Sequence, residues 1–369
     1  MNRDEIFNAS LAFFLAPIRE LLDDPRVTEV LVNGPEEIYA ERGGRLFRTE
    51  SKFASEDALR SAVHNIAQYV GREIDEDRPI LDARLPDGSR VHAILPPSSR
   101  QGTCLSIRRF RKDTLTLADF VRLQSLTEEA AEFLDLCVRL RKNILIAGGT
   151  GTGKTTFLNG LSGAVPEDER IIVIEDSSEL RLAQPHTVYL EAQTANAAGR
   201  GAVTIRQLFM ASLRMRPDRI IVGEVRGGEA LDMVQSMLSG HSGSLTTVHA
   251  SLPRDALVRL ETLALMSDVE LPVYVARAQV ASAIHLVVQL VRSAHDGRRF
   301  VTHITEQSGL DEQNRYTFQD LFTASAIDDG VEGRPRLQLM ARGVKPTFAH
   351  ELHEQGLTPR AVRTSALWR

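Results

Sequence analysis

The chain has 369 residues, a length that predicts about two domains. Its hydrophobic content of 43% and charged content of 25% are ordinary for a globular protein with a sizeable core, and no low-complexity tract interrupts it. The net charge of −5 gives no global attraction to nucleic acid or anionic lipid, so binding to either would require a local basic patch.

The cysteines and the lengths of the apolar runs both bear on the cellular compartment of the protein. Cys104 and Cys137 lie in apolar contexts without metal-type spacing, which is typical of reduced core thiols. The N-terminus carries acidic residues where a secretory signal would be positive, and no apolar run approaches the ~20 residues of a membrane span. We therefore expect a cytoplasmic protein that can still dock on a membrane complex.

The first hundred residues alternate between helical and strand-like patterns. These patterns predict a hairpin over 38–47, a helix over 55–69, two strands within 84–95 around an Asp87-Gly88 turn, and a strand over 103–110. We predict a small α+β domain over residues 1–110, and a polar linker with scattered leucines over 111–126.

From residue 127 onward, apolar strands alternate with helices. Thr127, followed by two glutamates, is typical of a helix N-terminus. The predicted strands are 143–147, 170–175, 187–190, 219–223, 244–249 and 285–290. This alternation predicts an α/β domain with a mostly parallel, doubly wound sheet over residues 127–369.

One glycine-rich segment fits the phosphate-binding loop pattern G-x-x-x-x-G-K-[ST]. Its context agrees, because an apolar strand precedes it and a helix can begin at Lys154. Glycines let successive N–H groups face phosphates, Lys154 would reach the β- and γ-phosphates, and the Thr155 hydroxyl would bind Mg²⁺. We therefore predict that the chain binds a nucleoside triphosphate together with Mg²⁺. The predicted binding residues here are Gly148, Gly149, Thr150, Gly151, Thr152, Gly153, Lys154, Thr155 and Thr156.

Carboxylates follow two of the predicted strands. Glu175 and Asp176 end one, and Glu224 ends another. Active sites of open α/β sheets gather at such strand ends, where a carboxylate can accept a proton from water or hold Mg²⁺ through a water ligand. The alternative is that these are solvated acids that only terminate strands, and two of them beside a phosphate loop make that less favoured.

A histidine-containing stretch and several arginines add candidates. Sequence alone leaves open whether His241 and His249 belong to a site or to the core. The arginines at 206, 214, 216, 219 and 226 are dense enough to supply one that stabilises a transferring phosphoryl group, but most arginines in such runs are at the surface or ion-paired.

Four motifs carry a resemblance to the secretion ATPases of type II and type IV systems, and most closely to the CpaF/TadA-type ATPases of tight-adherence (Flp) pilus assembly. The motifs are the phosphate loop at 148–155, the acidic box at 174–180, the run at 213–229 and the histidine box at 240–250. The resemblance extends to shorter matches at 30–34, 85–90, 106–110 and 342–348. It implies a RecA-like fold for the second domain, with ATP and Mg²⁺ as cofactors.

The resemblance also implies residue roles. Glu175 would polarise the attacking water, Glu224 would be the acid near Mg²⁺, and His249 would lie near the γ-phosphate. Arg108 or Arg109 of the first domain, together with Arg226, would supply positive charge over the nucleotide. One departure is Gln193, at a position where relatives are expected to carry arginine.

The resemblance further implies a machine. The family assembles as a homohexamer whose hydrolysis cycle drives pilin extraction or substrate export through an inner-membrane platform protein. One alternative is a conjugative type IV secretion ATPase. Another is an ATP-binding switch with little turnover, which intact Glu175, Glu224 and His249 disfavour. Nucleic-acid translocation is a further possibility, and the absence of a basic patch interleaved with aromatic residues argues against it.

Overall fold

A computed structural model of the chain describes residues 3–109, 114–193, 195, 199–294, 296–327 and 336–369. The chain divides into two compact units, Met1–Lys112 with Ala195–Arg200, and Asp113–Thr194 with Gly201–Arg369. Phe110 at the end of the predicted 103–110 strand, and positions 111–113 of the predicted linker, lie outside the described residues. In the described part of the chain, no helix is long and apolar enough to cross a membrane.

The N-terminal unit is an α+β fold built on one antiparallel sheet. Its elements are α1 (Arg3–Phe14), α2 (Arg19–Asp23), β1 (Val27–Asn33), β2 (Ile38–Arg42), β3 (Arg45–Arg48), α3 (Glu56–Tyr69), β4 (Ile80–Arg84), β5 (Arg90–Ile94) and β6 (Cys104–Arg108). The strand order is β3-β2-β1-β6-β5-β4, and every neighbouring pair is antiparallel.

Local sequence explains the predicted helix and hairpins of this unit. The Ser55 hydroxyl accepts the N–H of Ala58 at 3.2 Å and starts α3, which buries one apolar face. The 84–95 prediction placed its first strand too late. Leu85 and Ser89 form the turn, with Gly88 in the left-handed region (φ 91°), so that strand lies earlier, at Ile80–Arg84.

The C-terminal unit carries the larger sheet. Its helices are α4 (Leu117–Arg122), α5 (Glu128–Arg139), α6 (Lys154–Ser162), α7 (Ile205–Ser212), α8 (Glu229–Leu238), α9 (Pro253–Leu265), α10 (Val273–Ala283) and α11 (His350–Glu354). Its strands are β7 (Ile144–Gly148), β8 (Ile171–Glu175), β9 (Thr187–Glu191), β10 (Arg219–Val222), β11 (Leu245–His249), β12 (Leu286–Arg292), β13 (Arg299–Leu310), β14 (Tyr316–Ile327) and β15 (Arg336–Ala341).

The nine-stranded sheet has the order β15-β14-β13-β12-β7-β11-β10-β8-β9. All six strands predicted from the sequence form its parallel part, from β12 to β9. The antiparallel strands β13, β14 and β15 extend the sheet from β12 and were not predicted. The predicted α/β fold with a mostly parallel sheet is confirmed.

Helices cover both faces of this sheet, because its central strands are apolar on both sides. Along β7, Ile144 and Ile146 join one core cluster, while Leu145 and Ala147 join the other. The first cluster includes side chains of α5 and α6 and the chain's single tryptophan, Trp368, and the second includes side chains of α8, α9 and α10. The strand ends that carry functional side chains are thereby held between two packed layers.

The segment predicted as a linker contains a helix. Thr116 and Asp119 form a reciprocal cap at the start of α4. The Phe120 ring then packs against Phe157 of α6, with ring centroids 5.1 Å apart. Part of the predicted linker is therefore a short helix that packs on the phosphate-loop helix.

Candidate active site

The phosphate loop connects β7 to α6 and takes a conformation that requires its glycines. Gly151 and Gly153 have φ of 72° and 88°, in the left-handed region. A Cβ at Gly148 would lie 2.5 Å from Thr152 Oγ1 and 2.8 Å from the Leu290 carbonyl oxygen. Gly153 precedes α6 and has no side chain to cap it, so the first N–H groups of the helix are available to an anion. The residues present fit a phosphate group.

Lys154 is buried at the start of α6, with 8% of its surface exposed. Its ammonium donates to the Gly149 carbonyl at 3.1 Å and lies 3.2 Å from His249 Nδ1. The Thr152 hydroxyl also donates to the Gly149 carbonyl, at 2.9 Å. Around this buried cation, Thr150 and Thr156 are exposed and Thr155, in the first turn of α6, is half-buried.

His249 reaches the loop because β11 lies beside β7, where His249 pairs in register with Gly148. Its Nε2 is 2.9 Å from Glu224 Oε1. Burial, followed by the charge of Lys154, lowers the pKa of His249 and favours the neutral ring. We therefore assign Nε2–H as the donor to Glu224 and Nδ1 as the acceptor from Lys154.

Glu224 follows β10 and binds two partners. Its other oxygen, Oε2, accepts from Arg226 at 2.7 and 3.0 Å. Arg226 also reaches Asp176 at 3.3 Å, so both carboxylates at these strand ends share one guanidinium. The structure thus links Lys154, His249, Glu224 and Arg226 in one chain of polar contacts.

Glu175 ends β8 and is 4% exposed. Its Oε1 accepts the N–H groups of Glu179 at 2.8 Å and Leu180 at 3.0 Å. Burial raises the pKa of Glu175 to about 7, against the opposing effect of these two hydrogen bonds. A Cβ at Gly223 would lie 3.0 Å from the Glu175 Cγ, so a glycine there lets the end of β10 approach this side chain.

The remaining sequence candidates fall outside this cluster of contacts. Arg109 donates to the carbonyl of Asp24 and, at 3.3 Å, to that of Val27, and Arg108 is exposed at the end of β6. Both arginines belong to the N-terminal unit, and their role toward a nucleotide stays a prediction. His241 follows α8, and its Nδ1 is buried without a hydrogen-bond partner within the described residues.

Two of the arginines noted in the sequence, Arg206 and Arg219, form ion pairs away from the phosphate loop. Arg206 pairs with Asp232 and Asp268 at 2.7 and 2.6 Å. Arg219 is fully buried, and its Nε lies 2.5 Å from Glu169 Oε2. These contacts fit the expectation that most arginines of such runs are ion-paired.

Sequence reasoning missed two groups at the site. Glu229, at the start of α8, accepts the N–H groups of Arg226 and Gly227 at 2.8 and 2.9 Å and so holds the Arg226 backbone. Arg299 donates from Nε to the Gly151 carbonyl at 2.7 Å, although 148 positions separate the two residues. A turn signal at Asp296-Gly297 could have located a hairpin, but no local pattern places it at the loop.

Comparison with known proteins identifies a family that this chain matches. The family described as Type II/IV secretion system protein matches residues 14–346. The chain is 38% identical to the putative conjugal transfer protein Rv3659c of Mycobacterium tuberculosis over 288 residues, 76% of this chain and 81% of that protein. It is 39% identical to the type IV secretion system protein PtlH of Bordetella pertussis over 329 residues, 82% of this chain and 96% of that protein.

Among solved structures, the pilus retraction motor PilT with bound ADP is similar in fold. Its TM-score is 0.55 at 17% sequence identity, covering 80% of this chain and 81% of that chain. The RecA-like architecture expected for the second unit is thereby supported independently of the motifs. The chain belongs to the type II/IV secretion system protein family, and it is a P-loop ATPase.

Proposed function

We propose that this ATPase is a cytoplasmic homohexamer that docks on an inner-membrane platform protein and drives a secretion or pilus machine. The observation that carries the proposal is the cluster at one edge of the sheet, where Lys154, His249 and Glu224 are in contact. Family membership supports the coupling of hydrolysis to protein transport.

We assign each side chain of the site a role in ATP hydrolysis according to its position. ATP with Mg²⁺ supplies the terminal phosphoryl group that water attacks. Lys154 and the N–H groups of α6 hold the phosphates, and the Thr155 hydroxyl and Glu224 are assigned to Mg²⁺. Arg226, with Arg108 or Arg109, is assigned to the charge over the nucleotide.

Glu175 is assigned to the attacking water. The N–H groups of Glu179 and Leu180 both bind Oε1, so Oε2 is the oxygen that we assign to the water. Because the pKa of Glu175 is raised to about 7, its carboxylate is a stronger base than an ordinary glutamate. Neutral His249 can orient Glu224 without adding a positive charge that would compete with Mg²⁺.

Two machines are candidates, and different observations favour them. The identities to PtlH and to a putative conjugal transfer protein favour a type IV secretion system. The match at Arg342–Phe348, in the segment between β15 and α11, favours Flp-type pilus assembly. Gene neighbourhood separates them, since pilins and a platform protein indicate the pilus and conjugation channel components indicate the secretion system.

The experiment is phosphate release from the purified protein, followed by complementation in a strain that lacks the gene. We expect many phosphates released per subunit, and loss of pilus assembly or secretion with Lys154→Ala and Glu175→Gln. Arg298→Ala is the matched control, because Arg298 pairs with Asp296 in the turn before β13 at 2.5 Å. A single burst without further turnover contradicts the motor and favours the switch.

A further inference from the structure

The hairpin that joins β12 to β13 lies against the phosphate loop. β12 is the neighbour of β7 on the side opposite β11, and Leu290 pairs with Gly148. His249, at the end of β11, therefore lies on one side of the loop. The end of β12 and the hairpin that follows it lie on the other side. This second side contains none of the residues predicted from the motifs.

Two arginines face each other across this hairpin, since Arg292 and Arg299 are cross-strand partners. Arg299 Nε donates to the Gly151 carbonyl at 2.7 Å. A Cβ built at Gly151 would lie 3.2 Å from Arg292 Nη1, and one built at Gly153 would lie 3.2 Å from Arg299 Cδ. Both guanidinium groups thus approach the same turn of the phosphate loop, and its glycines leave room for them.

We propose that Arg299 is a positioning residue that holds the phosphate loop open for nucleotide, and that Arg292 adds positive charge for the bound phosphates. The inference rests on the nucleotide site proposed above. The hydrogen bond fixes the orientation of the peptide that follows Gly151, and this peptide must be turned correctly for its N–H to face an anion.

Charge gives a second, independent argument. Lys154, Arg292 and Arg299 bring three positive charges to one short loop. A polyphosphate bound in the loop is attracted by all three. Arg298, next to Arg299 in the chain, pairs with Asp296 at 2.5 Å and serves as the control.

The test measures binding rather than turnover. Arg299→Ala, Arg299→Lys, Arg292→Ala and the control Arg298→Ala are titrated with a fluorescent ADP analogue. We expect Arg299→Ala to weaken binding about tenfold, the effect of losing one hydrogen bond from a charged donor. Arg299→Lys should recover part of the loss, since an ammonium can still donate to the Gly151 carbonyl. Arg292→Ala should weaken binding less, by an amount that shrinks at high salt.

Hydrogen exchange in the nucleotide-free protein tests the positioning role directly. Amides 149–153 should exchange faster in Arg299→Ala than in wild type or Arg298→Ala, while the thermal midpoint stays unchanged because the contact is exposed. Binding by Arg299→Ala equal to that of Arg298→Ala overturns the inference. Lys154→Ala separates failure of this inference from failure of the proposed nucleotide site. Wild-type binding by that variant would overturn the nucleotide site itself.

Discussion

Replacement of Glu175 by glutamine should change how the stability of the protein depends on pH. The side chain is 4% exposed, and burial raises the pKa of its carboxyl from an ordinary value of 4.5 to about 7. The folded protein therefore keeps a proton that the unfolded chain releases near pH 4.5. Stability from this group is fully present below that pH and is lost as pH rises through about 7.

The magnitude follows from the size of the shift. Each pKa unit corresponds to about 1.4 kcal/mol, so Glu175 lowers the free energy of unfolding by about 3 kcal/mol at high pH relative to acid. Between about pH 5 and about pH 8 the change is roughly 2.5 kcal/mol. Glutamine does not titrate, and its carbonyl oxygen can still accept the N–H groups of Glu179 and Leu180. Glu175→Gln should therefore lose this part of the pH dependence.

The assay is urea unfolding of both proteins at the two pH values, followed by tryptophan fluorescence. Trp368 is the chain's single tryptophan and is 8% exposed in the C-terminal unit, which also contains Glu175. Its ring packs on Phe133 at 5.3 Å, so its emission reports unfolding of that unit. Glu354→Gln, an exposed change on α11, is the matched control. Equal pH dependence in wild type and Glu175→Gln would refute the reasoning.

Three further predictions concern the loop and the core. Lys154→Ala should cut steady-state phosphate release at least about tenfold, because no other group replaces the buried ammonium at the phosphates; wild-type turnover would exclude this role. Gly148→Ala should abolish binding of a fluorescent ADP analogue, since its Cβ would lie 2.5 Å from Thr152 Oγ1, and unchanged affinity would contradict the loop geometry. Tyr316→Phe should lower the free energy of unfolding by about 1–2 kcal/mol, because the Tyr316 hydroxyl donates to buried Glu261 at 2.8 Å; urea unfolding with an unchanged midpoint would argue against that bond.

Local patterns predicted the elements whose signals are complete within a short stretch. The phosphate loop is one such case, because its glycines, lysine and threonine are consecutive and the strand before it is uniformly apolar. The parallel strands β7, β8 and β10 are another, since burial on both faces produces runs of apolar residues. The strands β13 to β15 escaped prediction because they mix polar and apolar residues. In β13, for example, buried Ile304 is followed by the buried polar residues Thr305, Glu306 and Gln307.

The sequence predicted only some of the contacts between residues of the site. The sequence marked Glu175 and Glu224 as strand-end residues, but left open whether His241 and His249 belong to a site or to the core. Strand order decides this, because β11 lies between β7 and β10 and carries His249 to both Lys154 and Glu224.

The sequence by itself determined that this chain holds a phosphate loop on a parallel sheet, since loop geometry and strand burial are consequences of consecutive residue types. Only the tertiary structure decided what surrounds the loop. The contact between Arg299 and Gly151, and the shared guanidinium of Arg226, join residues from different strands. Such contacts depend on which strands are neighbours, and strand order is set by packing across the whole sheet rather than by any local pattern.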